Sequence, residues 1–383
     1  MNKVLLLGGT GILSTEICSI AIERGYEVTI VNRGNRKNRI NLQANLIIGN
    51  LKEESIEVLR EKLNGEDFDV VVDFITYDVR QLKRSIEMIS GICKQYIFIS
   101  SATTYLDADN NLPLTENSPI GNTGWKYSLD KAQCEWYLQE NKEQFSFAYT
   151  IIRPYVTYGK TRIPYQVIPI EYYTLINRIM LNKPIPIFGE NVRCTLTNAS
   201  EFAVGTVGLF KNQKAFGEAV HITADTTTTW KEVIKELGGK LEREVILVDL
   251  PLKCLDKGSL KLGFDVDEIR YDKGRTMVFC NEKIKRLVPE FKGSITLSQG
   301  IDASLDYFKE NYYVRKINYA WDARIDRLLA QYSTPNKGLN LSGYGKSCSL
   351  RERLIYTLNR YDFLYYISKL IAKCYRKIRC RIK

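Results

Sequence analysis

The chain has 383 residues, of which 44% are hydrophobic and 26% charged, a composition that excludes a largely disordered protein. Its nine cysteines form no C-x-x-C pair, so we expect reduced thiols rather than a disulfide framework. The only histidine, His221, lies in a strand-like stretch and is interpreted as structural. Neither a Ser-His-Asp triad nor a metal site is therefore predicted.

The net charge of +11 is concentrated at one end of the chain. Residues 337–383 have a net charge of +10, and the rest of the sequence is almost neutral. No apolar run approaches the ~20 residues that a membrane-spanning helix needs, and the first apolar run is too short for a secretory signal. The sequence thus predicts a cytoplasmic protein with a basic tail.

Short apolar strands alternate with helices through the first 154 residues. The predicted strands are "NKVLLLG", "YEVTIVNR", "ANLIIGN", "FDVVVDFI", "KQYIFISS" and "FAYTIIRP". The helices between them are predicted at 11–24, "KEESIEVLREKL", 79–92 and 126–139. This order predicts an α/β fold of Rossmann type, a doubly wound parallel sheet that binds ligands at the carboxyl ends of its strands.

The later sequence is less regular, and we predict four segments in all. They are a dinucleotide-binding domain over 1–160 (including the strand at 148–153), a smaller mixed α/β substrate lobe over 161–313, a helix over 314–336, and a linker with a basic amphipathic tail over 337–383.

The stretch "LLLGGTGILST" is typical of a phosphate-binding turn between a strand and a helix. Glycines 8, 9 and 11 let the backbone approach a pyrophosphate at a helix N-terminus. Ser14 stands where a third, packing glycine is common. An NAD site usually has an acidic residue at the end of the second strand, but here Asn32 and Arg33 occupy that position, which favours NADP.

"GWKYSLDKAQCEWYL" places Tyr127 and Lys131 four residues apart on one face of a predicted helix. An unperturbed tyrosine, with a pKa of roughly 10, is a weak base at neutral pH, and an ammonium one turn away stabilises its phenolate. Ser101, at the end of the fifth strand, can hydrogen-bond the oxygen whose proton the tyrosine moves. The order of these features predicts hydride-transfer chemistry at a hydroxyl-bearing carbon.

With "GGTGILS", "YIFISSATTY", "YSLDK" and "IIRPYVTYG" in this order, the chain resembles the extended short-chain dehydrogenases/reductases. More narrowly, it resembles the NAD-dependent epimerase/dehydratase family, which acts on nucleoside-diphosphate sugars. The resemblance implies Ser101, Tyr127 and Lys131 as catalytic residues, Thr103 and Arg193 as substrate-binding residues, and a homodimer formed through the Tyr-Lys helix. The predicted cofactor-binding residues are Gly8, Gly9, Thr10, Gly11, Ile12, Asn32, Arg33, Asn50, Leu51 and Phe74.

Four positions in the later motifs depart from the family pattern. Sugar dehydratases carry Asp-Glu after the strand-five hydroxyl residue, whereas Ala102 and Thr103 follow Ser101 here. Val156 and Ser200 stand where many members have Asn and Asp. The missing acid pair disfavours dehydration, so an NAD(P)-dependent nucleotide-sugar epimerase is predicted, in surface polysaccharide biosynthesis. An NADPH-dependent nucleotide-sugar reductase is the alternative.

The tail allows further interpretations. Between residues 350 and 382, apolar residues recur every three or four positions with Lys, Arg and Tyr between them, which favours peripheral contact with an anionic membrane. Packing on the protein's own body or on a dimer partner, and a solvated end, are the alternatives. Some relatives, including chloroplast stem-loop-binding proteins, bind RNA, but the confinement of charge to the tail makes nucleic-acid binding a minor alternative.

Overall fold

The computed structural model describes residues 2–36, 40–63, 65–106, 112–167, 169, 171–256, 264–332, 348–368 and 370. The strands in these ranges are β1 (Lys3–Leu7), β2 (Glu27–Asn32), β3 (Asn45–Ile48), β4 (Phe68–Asp73), β5 (Cys93–Ile99), β6 (Ala148–Pro154), β7 (Thr157–Tyr158), β8 (Ile185–Ile187), β9 (Arg193–Thr195), β10 (Thr197–Asn198), β11 (Ala219–Ile222), β12 (Thr227–Thr229) and β13 (Leu247–Asp249).

The α-helices are α1 (Ile12–Glu23), α2 (Ile56–Leu63), α3 (Val79–Ile89), α4 (Lys126–Glu140), α5 (Tyr173–Met180), α6 (Ala199–Gly208), α7 (Trp230–Lys240), α8 (Val266–Glu268), α9 (Glu282–Leu287), α10 (Leu297–Glu310), α11 (Tyr319–Tyr332) and α12 (Leu350–Arg360). Shorter 3-10 segments include Ala102–Thr104, and a π-helical turn covers Ile269–Lys273. None of the helices in the described ranges combines the length and apolar character that a bilayer span requires.

Seven parallel strands form the central sheet, in the order β11-β6-β5-β4-β1-β2-β3. The chain winds outward from β1 to β3 and then returns to add β4, β5, β6 and β11 on the other side of β1. The order therefore reverses between β1 and β4, where doubly wound sheets bind their ligands. The predicted Rossmann-type sheet is confirmed.

Apolar side chains fill both faces of this sheet. On one face, Val4, Leu6 and Val72 pack with Ile17 of α1 and Phe202 of α6. The opposite face packs against α2, α3 and α4, in a cluster that includes Leu5, Leu7, Val71, Leu59, Leu82 and Leu138. Near-continuous apolar strands are what a parallel sheet covered on both faces requires.

The chain divides into two compact units that interleave along the sequence. The first comprises Met1–Arg162, Arg193–Thr228 and Arg275–Gly300, and the second Ile163–Val192, Thr229–Gly274 and Ile301–Lys383. The predicted domains are contiguous segments, so residues 193–228 and 275–300, assigned to the substrate lobe, fall in the first unit. The whole central sheet belongs to that unit.

A buried cluster of four charged side chains anchors α11 in the second unit. Arg178 of α5 pairs with Asp322 and Asp326 of α11, at 2.7 Å in each case. Lys183 also pairs with both aspartates, and all four side chains are at most 3% exposed. Two cations and two anions cancel in charge, which allows ions to be buried at all.

Part of the predicted tail packs against α11. Tyr356 of α12 is buried, and its hydroxyl donates to the Asp326 carboxylate at 2.5 Å. Residues 362–368 are helical, and the ring of Tyr365 lies 4.6 Å from the Arg327 guanidinium. Of the predicted tail and linker, residues 337–347, 369 and 371–383 lie outside the described residues.

Candidate active site

The glycines of the turn between β1 and α1 allow other groups to approach its backbone closely. Gly8 and Gly9 have φ of 121° and 99°, in the region that favours glycine. A Cβ atom on Gly9 would lie 2.4 Å from Cγ2 of Ile30, closer than real contacts allow. A Cβ on Gly11 would meet only the Ser14 hydroxyl, at 3.7 Å. Tight packing against Ile30 of β2 thus fixes the turn, and Gly11 leaves open space at the start of α1.

Ser14 is hydrogen-bonded to the backbone at the start of α1. Its hydroxyl accepts from the Gly11 amide at 3.0 Å and donates to the Gly11 carbonyl at 3.2 Å. The first turn of this twelve-residue helix contains no acidic residue. A phosphate group at the helix N-terminus, beside Thr10 and Ile12, would therefore meet the positive end of the helix dipole without a repelling charge. These residues fit a dinucleotide pyrophosphate.

Asn32 at the end of β2 holds the glycine turn as well as the following loop. Its Nδ2 donates to the Gly8 carbonyl at 3.1 Å, and its Oδ1 accepts from the Gly34 amide at 2.7 Å. A carboxylate could not make the first of these bonds, so the absence of an acid here has a structural reason. Arg33, the next residue, is exposed.

The other predicted cofactor residues follow the ends of β3 and β4. Asn50 is bonded within its own turn, where Oδ1 accepts from the Lys52 amide at 3.2 Å. The Leu51 carbonyl accepts from Nε of Arg84 at 2.9 Å. The Phe74 amide donates to the Leu7 carbonyl at 3.1 Å, which places Phe74 against the glycine turn.

Ser101 and Thr103 lie together beyond the end of β5. The Ser101 hydroxyl oxygen accepts from Oγ1 of Thr103 at 3.0 Å and from the Thr103 amide at 3.3 Å. Both residues are buried. The Thr103 carbonyl accepts from Nδ2 of Asn122 at 3.2 Å, so the loop is tied down from two sides.

Tyr127 and Lys131 occupy successive turns of α4, as their spacing predicts. The Lys131 ammonium lies 6.0 Å from the centre of the Tyr127 ring and 5.1 Å from that of Tyr77. Its Nζ donates to the carbonyls of Thr76 at 2.6 Å and Ile99 at 2.7 Å. Burial lowers the pKa of Lys131 to about 8, and the negative charge of Asp73 opposes that effect.

Trp125 and Tyr77 flank the ring of Tyr127, with ring centres 4.8 Å and 6.0 Å away. Tyr77 is 44% exposed, so these rings form part of a surface and not of the core. An aromatic wall of this kind is suited to stacking against a flat or ring-shaped ligand.

Asp73, the last residue of β4, was not among the predicted site residues. It is fully buried, and its carboxylate accepts from the amides of Ile75 and Thr76 at 2.9 and 3.0 Å. It also accepts from the hydroxyls of Thr76 at 2.7 Å and Tyr96 at 2.8 Å. The signal in the sequence was one carboxylate ending the apolar run "VVVD".

Glu135, one further turn along α4 from Lys131, was also not predicted. It is buried, and both its carboxylate oxygens accept from the Arg153 guanidinium, with a shortest distance of 2.6 Å. The Ser100 hydroxyl donates to the same carboxylate. The four-residue spacing of Tyr127, Lys131 and Glu135 could have indicated it. This ion pair fixes α4 against the ends of β5 and β6.

His221 extends the same buried network. Nη1 of Arg153 donates to the Tyr105 hydroxyl at 3.1 Å, and that hydroxyl lies 2.9 Å from Nδ1 of His221. Nε2 of His221 lies 2.8 Å from the Cys280 carbonyl. Burial lowers the pKa of this imidazole, so it is neutral and acts in packing, as interpreted from the sequence.

Arg193 lies at the start of β9, which pairs with β12 in a separate two-stranded sheet. The residue is exposed, and its Nη2 donates to the Thr227 hydroxyl at 3.1 Å. A guanidinium in this state retains donors for an anionic ligand.

The reversal of strand order, the glycine turn and the Tyr-Lys helix define a dinucleotide-binding α/β protein of the short-chain dehydrogenase/reductase type. A sequence model of the NAD dependent epimerase/dehydratase family matches residues 4–212. The chain belongs to that family.

Among curated relatives, the chain is similar to "Chloroplast stem-loop binding protein of 41 kDa b, chloroplastic" of Arabidopsis thaliana. The two are 24% identical over 260 residues, which cover 64% of this chain and 65% of the relative. The chain thus spans less than two thirds of the length of the curated relatives it matches.

Two solved structures share the fold. An epimerase of Methanothermobacter thermautotrophicus has a TM-score of 0.69 and 15% identity, covering 82% of this chain and 94% of its own. UDP-glucuronic acid 4-epimerase of Bacillus cereus, solved in complex with UDP-glucuronic acid and NAD, has a TM-score of 0.60 and 18% identity, covering 81% and 100%. At these identities the likeness shows the fold alone.

Proposed function

We propose that the protein is an NAD(P)-dependent nucleotide-sugar epimerase that acts by transient oxidation of a sugar hydroxyl. The observation that carries the proposal is the Lys131 ammonium, held on the same helix face as Tyr127 next to the strand end that bears Ser101. A relative of the same fold, the Bacillus cereus enzyme, was solved with a nucleotide sugar and NAD.

Each of the proposed catalytic and substrate-binding residues has a definite role in this reaction. Tyr127 takes the proton of the sugar hydroxyl, and the nearby ammonium of Lys131 stabilises the phenolate. Ser101 donates a hydrogen bond to the same sugar oxygen, and Arg193 pairs with the diphosphate of the substrate. NAD(P) would be held by the glycine turn and Asn32, and it would supply reversible hydride acceptance at the sugar carbon.

Epimerisation is favoured over dehydration because Ala102 and Thr103 follow Ser101, and neither is an acid. Net reduction by NADPH with the same residues is the alternative reaction. Purified protein incubated with UDP-, dTDP- and GDP-hexoses tests the proposal by NMR of the sugar product. Stoichiometric loss of NADPH would identify a reductase, and an unchanged sugar pool would exclude both reactions.

NADP is the proposed cofactor, although the related structure from Bacillus cereus contains NAD. The proposal depends on the uncharged Asn32 at the end of β2 and on the exposed Arg33 that follows it, because a cation in place of an acid at this position favours a 2′-phosphate. Native mass spectrometry of the co-purified dinucleotide distinguishes the two cofactors.

A homodimer through α4 also belongs to the proposal. Trp136 of this helix is 36% exposed, and a subunit contact through the helix would cover an aromatic side chain of the kind that is enriched at interfaces. Light scattering tests it, since the Trp136→Glu substitution should convert a dimer into a monomer.

We further propose that the tail contacts the anionic inner face of a membrane, as suits an enzyme of surface polysaccharide synthesis. Tyr356 and Tyr365 are buried, whereas Phe363, Tyr366 and Leu370 are 74%, 47% and 61% exposed. Their spacing of three and four residues aligns them on one helical face. Ten net positive charges in residues 337–383 supply the attraction to acidic lipids.

The stem-loop-binding relative favours a second candidate, an RNA-binding protein on the same fold. In that case the basic tail, with its tyrosines, would contact the phosphates and bases. A salt-dependent gel shift with structured RNA, together with no co-purified dinucleotide, would favour this function over the enzyme.

A further inference from the structure

Lys131 is buried with few anions to balance it. Its Nζ is bonded to two carbonyl oxygens, of Thr76 and Ile99, which are dipoles and not charges. Since burial of an ammonium disfavours its charged form, some negative charge nearby is needed for Lys131 to act as a cation.

The groups around Lys131 come from three elements. Tyr77 follows β4, and α4 contributes Tyr127, Cys134 and Glu135. Burial raises the pKa of the Cys134 thiol to about 12, so it is neutral at physiological pH.

Glu135 is anionic, but its charge is already balanced by Arg153 through a bidentate contact. Among the described residues that act on Lys131, Asp73 is therefore the anion that no partner cation balances. Its four hydrogen bonds come from two amides and two hydroxyls, all neutral donors.

Asp73 and Lys131 are also linked by hydrogen bonds to the same residue, Thr76. Both Asp73 oxygens bind Thr76, through its amide and its hydroxyl, and the carbonyl of the same residue accepts from Lys131. The Thr76 hydroxyl has one proton, which it donates to Asp73, so at 3.1 Å it accepts from the Ser85 hydroxyl. The carboxylate thus orders the turn that holds the ammonium.

We propose that Asp73 is the positioning residue of the site, which fixes the Thr76 carbonyl on Lys131 and supplies the negative charge that keeps this lysine an ammonium. The assignment rests on the proposed function for its catalytic meaning, but its effect on Lys131 can be measured without substrate. It requires no contact between Asp73 and the sugar.

The test compares Asp73→Asn with Thr76→Val in the full-length protein. Thr76→Val removes the hydroxyl that donates to Asp73 but keeps the carboxylate charge and the bond from the backbone amide at that position, whereas Asp73→Asn removes the charge. Lysine side chains labelled at Cε with 13C are titrated by NMR, with the Lys131 signal identified by its loss in Lys131→Met.

We expect the titration midpoint of Lys131 to fall by at least about one pH unit in Asp73→Asn and to stay within a few tenths of a unit in Thr76→Val. An Asn amide could clash with the Tyr96 hydroxyl proton, so Asp73→Asn/Tyr96→Phe is the second variant if the single one fails to fold. Equal midpoints in wild type and the folded Asn variant would overturn the proposal, as would an equal fall in Thr76→Val.

A pH–rate profile separates this inference from the proposed function. If the protein is an epimerase, the alkaline limb of kcat moves to lower pH with the NMR midpoint. If the midpoint moves but no sugar nucleotide reacts, the role of Asp73 stands and the proposed reaction fails.

Discussion

Lys131 of α4 donates from Nζ to the carbonyl oxygen of Thr76, 2.6 Å away, in the loop that follows β4. This bond joins the helix that carries Tyr127 to the strand next to the glycine turn, since β4 pairs with β1. The proposed proton-transfer groups are therefore connected to the proposed cofactor turn through one side-chain hydrogen bond and the pairing of β4 with β1.

Loss of the Tyr127 hydroxyl tests the proton transfer directly. We expect Tyr127→Phe to lower kcat by about 10²- to 10⁴-fold, the usual contribution of a general acid-base group, while dinucleotide binding is retained. Tyr137→Phe, on the same helix, is the matched control and should keep full activity. An unaltered rate in Tyr127→Phe would exclude the mechanism.

The pH dependence of the reaction follows from Lys131. Burial lowers the pKa of this lysine to about 8, so the ammonium is present below that pH and is lost as the pH rises through it. The contribution of the ammonium to the rate should be complete below that pH and be lost above it, which gives the pH profile of kcat an alkaline limb near pH 8. A kcat profile in paired buffers measures this, and a rate that still rises at pH 9 to 10 would contradict it.

Arg33 tests the choice of cofactor. We expect Arg33→Glu to weaken NADP binding by at least about tenfold, because a charged hydrogen bond to the 2′-phosphate becomes a repulsion. NAD binding should change much less. Fluorescence titration with both cofactors gives the ratio, and Lys235→Glu, a charge reversal at an exposed residue of the second unit, is the control. Equal losses for NAD and NADP would argue against the proposed contact.

The buried charge cluster predicts where stability is most sensitive. Asp326→Asn leaves Arg178 and Lys183 with one anion fewer in a dry interior, so we expect a loss of about 3–5 kcal/mol in the free energy of unfolding. Asp130→Asn removes the partner of the exposed Lys126 and should cost about 1 kcal/mol or less. Urea unfolding measures both losses. Comparable values would show that the buried cluster is no more important for stability than an exposed ion pair.

Periodicity and local motifs predicted the central sheet, because each strand is an apolar run of the length that a covered parallel sheet needs. They also predicted the shared face of Tyr127 and Lys131, which depends only on helical spacing. The roles of Asp73 and Glu135 depend on which residues meet across strands, as Asp73 and Tyr96 do, and no single-chain pattern encodes that pairing. The same applies to Asn32, whose bond to Gly8 spans 24 residues.

Domain boundaries were hard to predict for a related reason. Residues 193–228 and 275–300 return to the first unit after the chain has entered the second. Their strand signals are short, since β9 has three residues and β10 has two, so they carry little periodicity from which to assign a partner.

The final prediction concerns the tail, and in particular the exposed face formed by Phe363, Tyr366 and Leu370. If it contacts lipid, the full-length protein should sediment with phosphatidylcholine vesicles that contain phosphatidylglycerol, and less at high salt. Replacing these three residues with serine should lower the partition coefficient by at least about tenfold, because three apolar side chains no longer leave water. Tyr312→Ser/Tyr313→Ser is the matched control, since both residues are well exposed but lie outside the tail. Three outcomes would contradict membrane contact: no sedimentation of the wild type, a variant that binds as well as the wild type, or a salt-sensitive RNA complex that the vesicles do not displace.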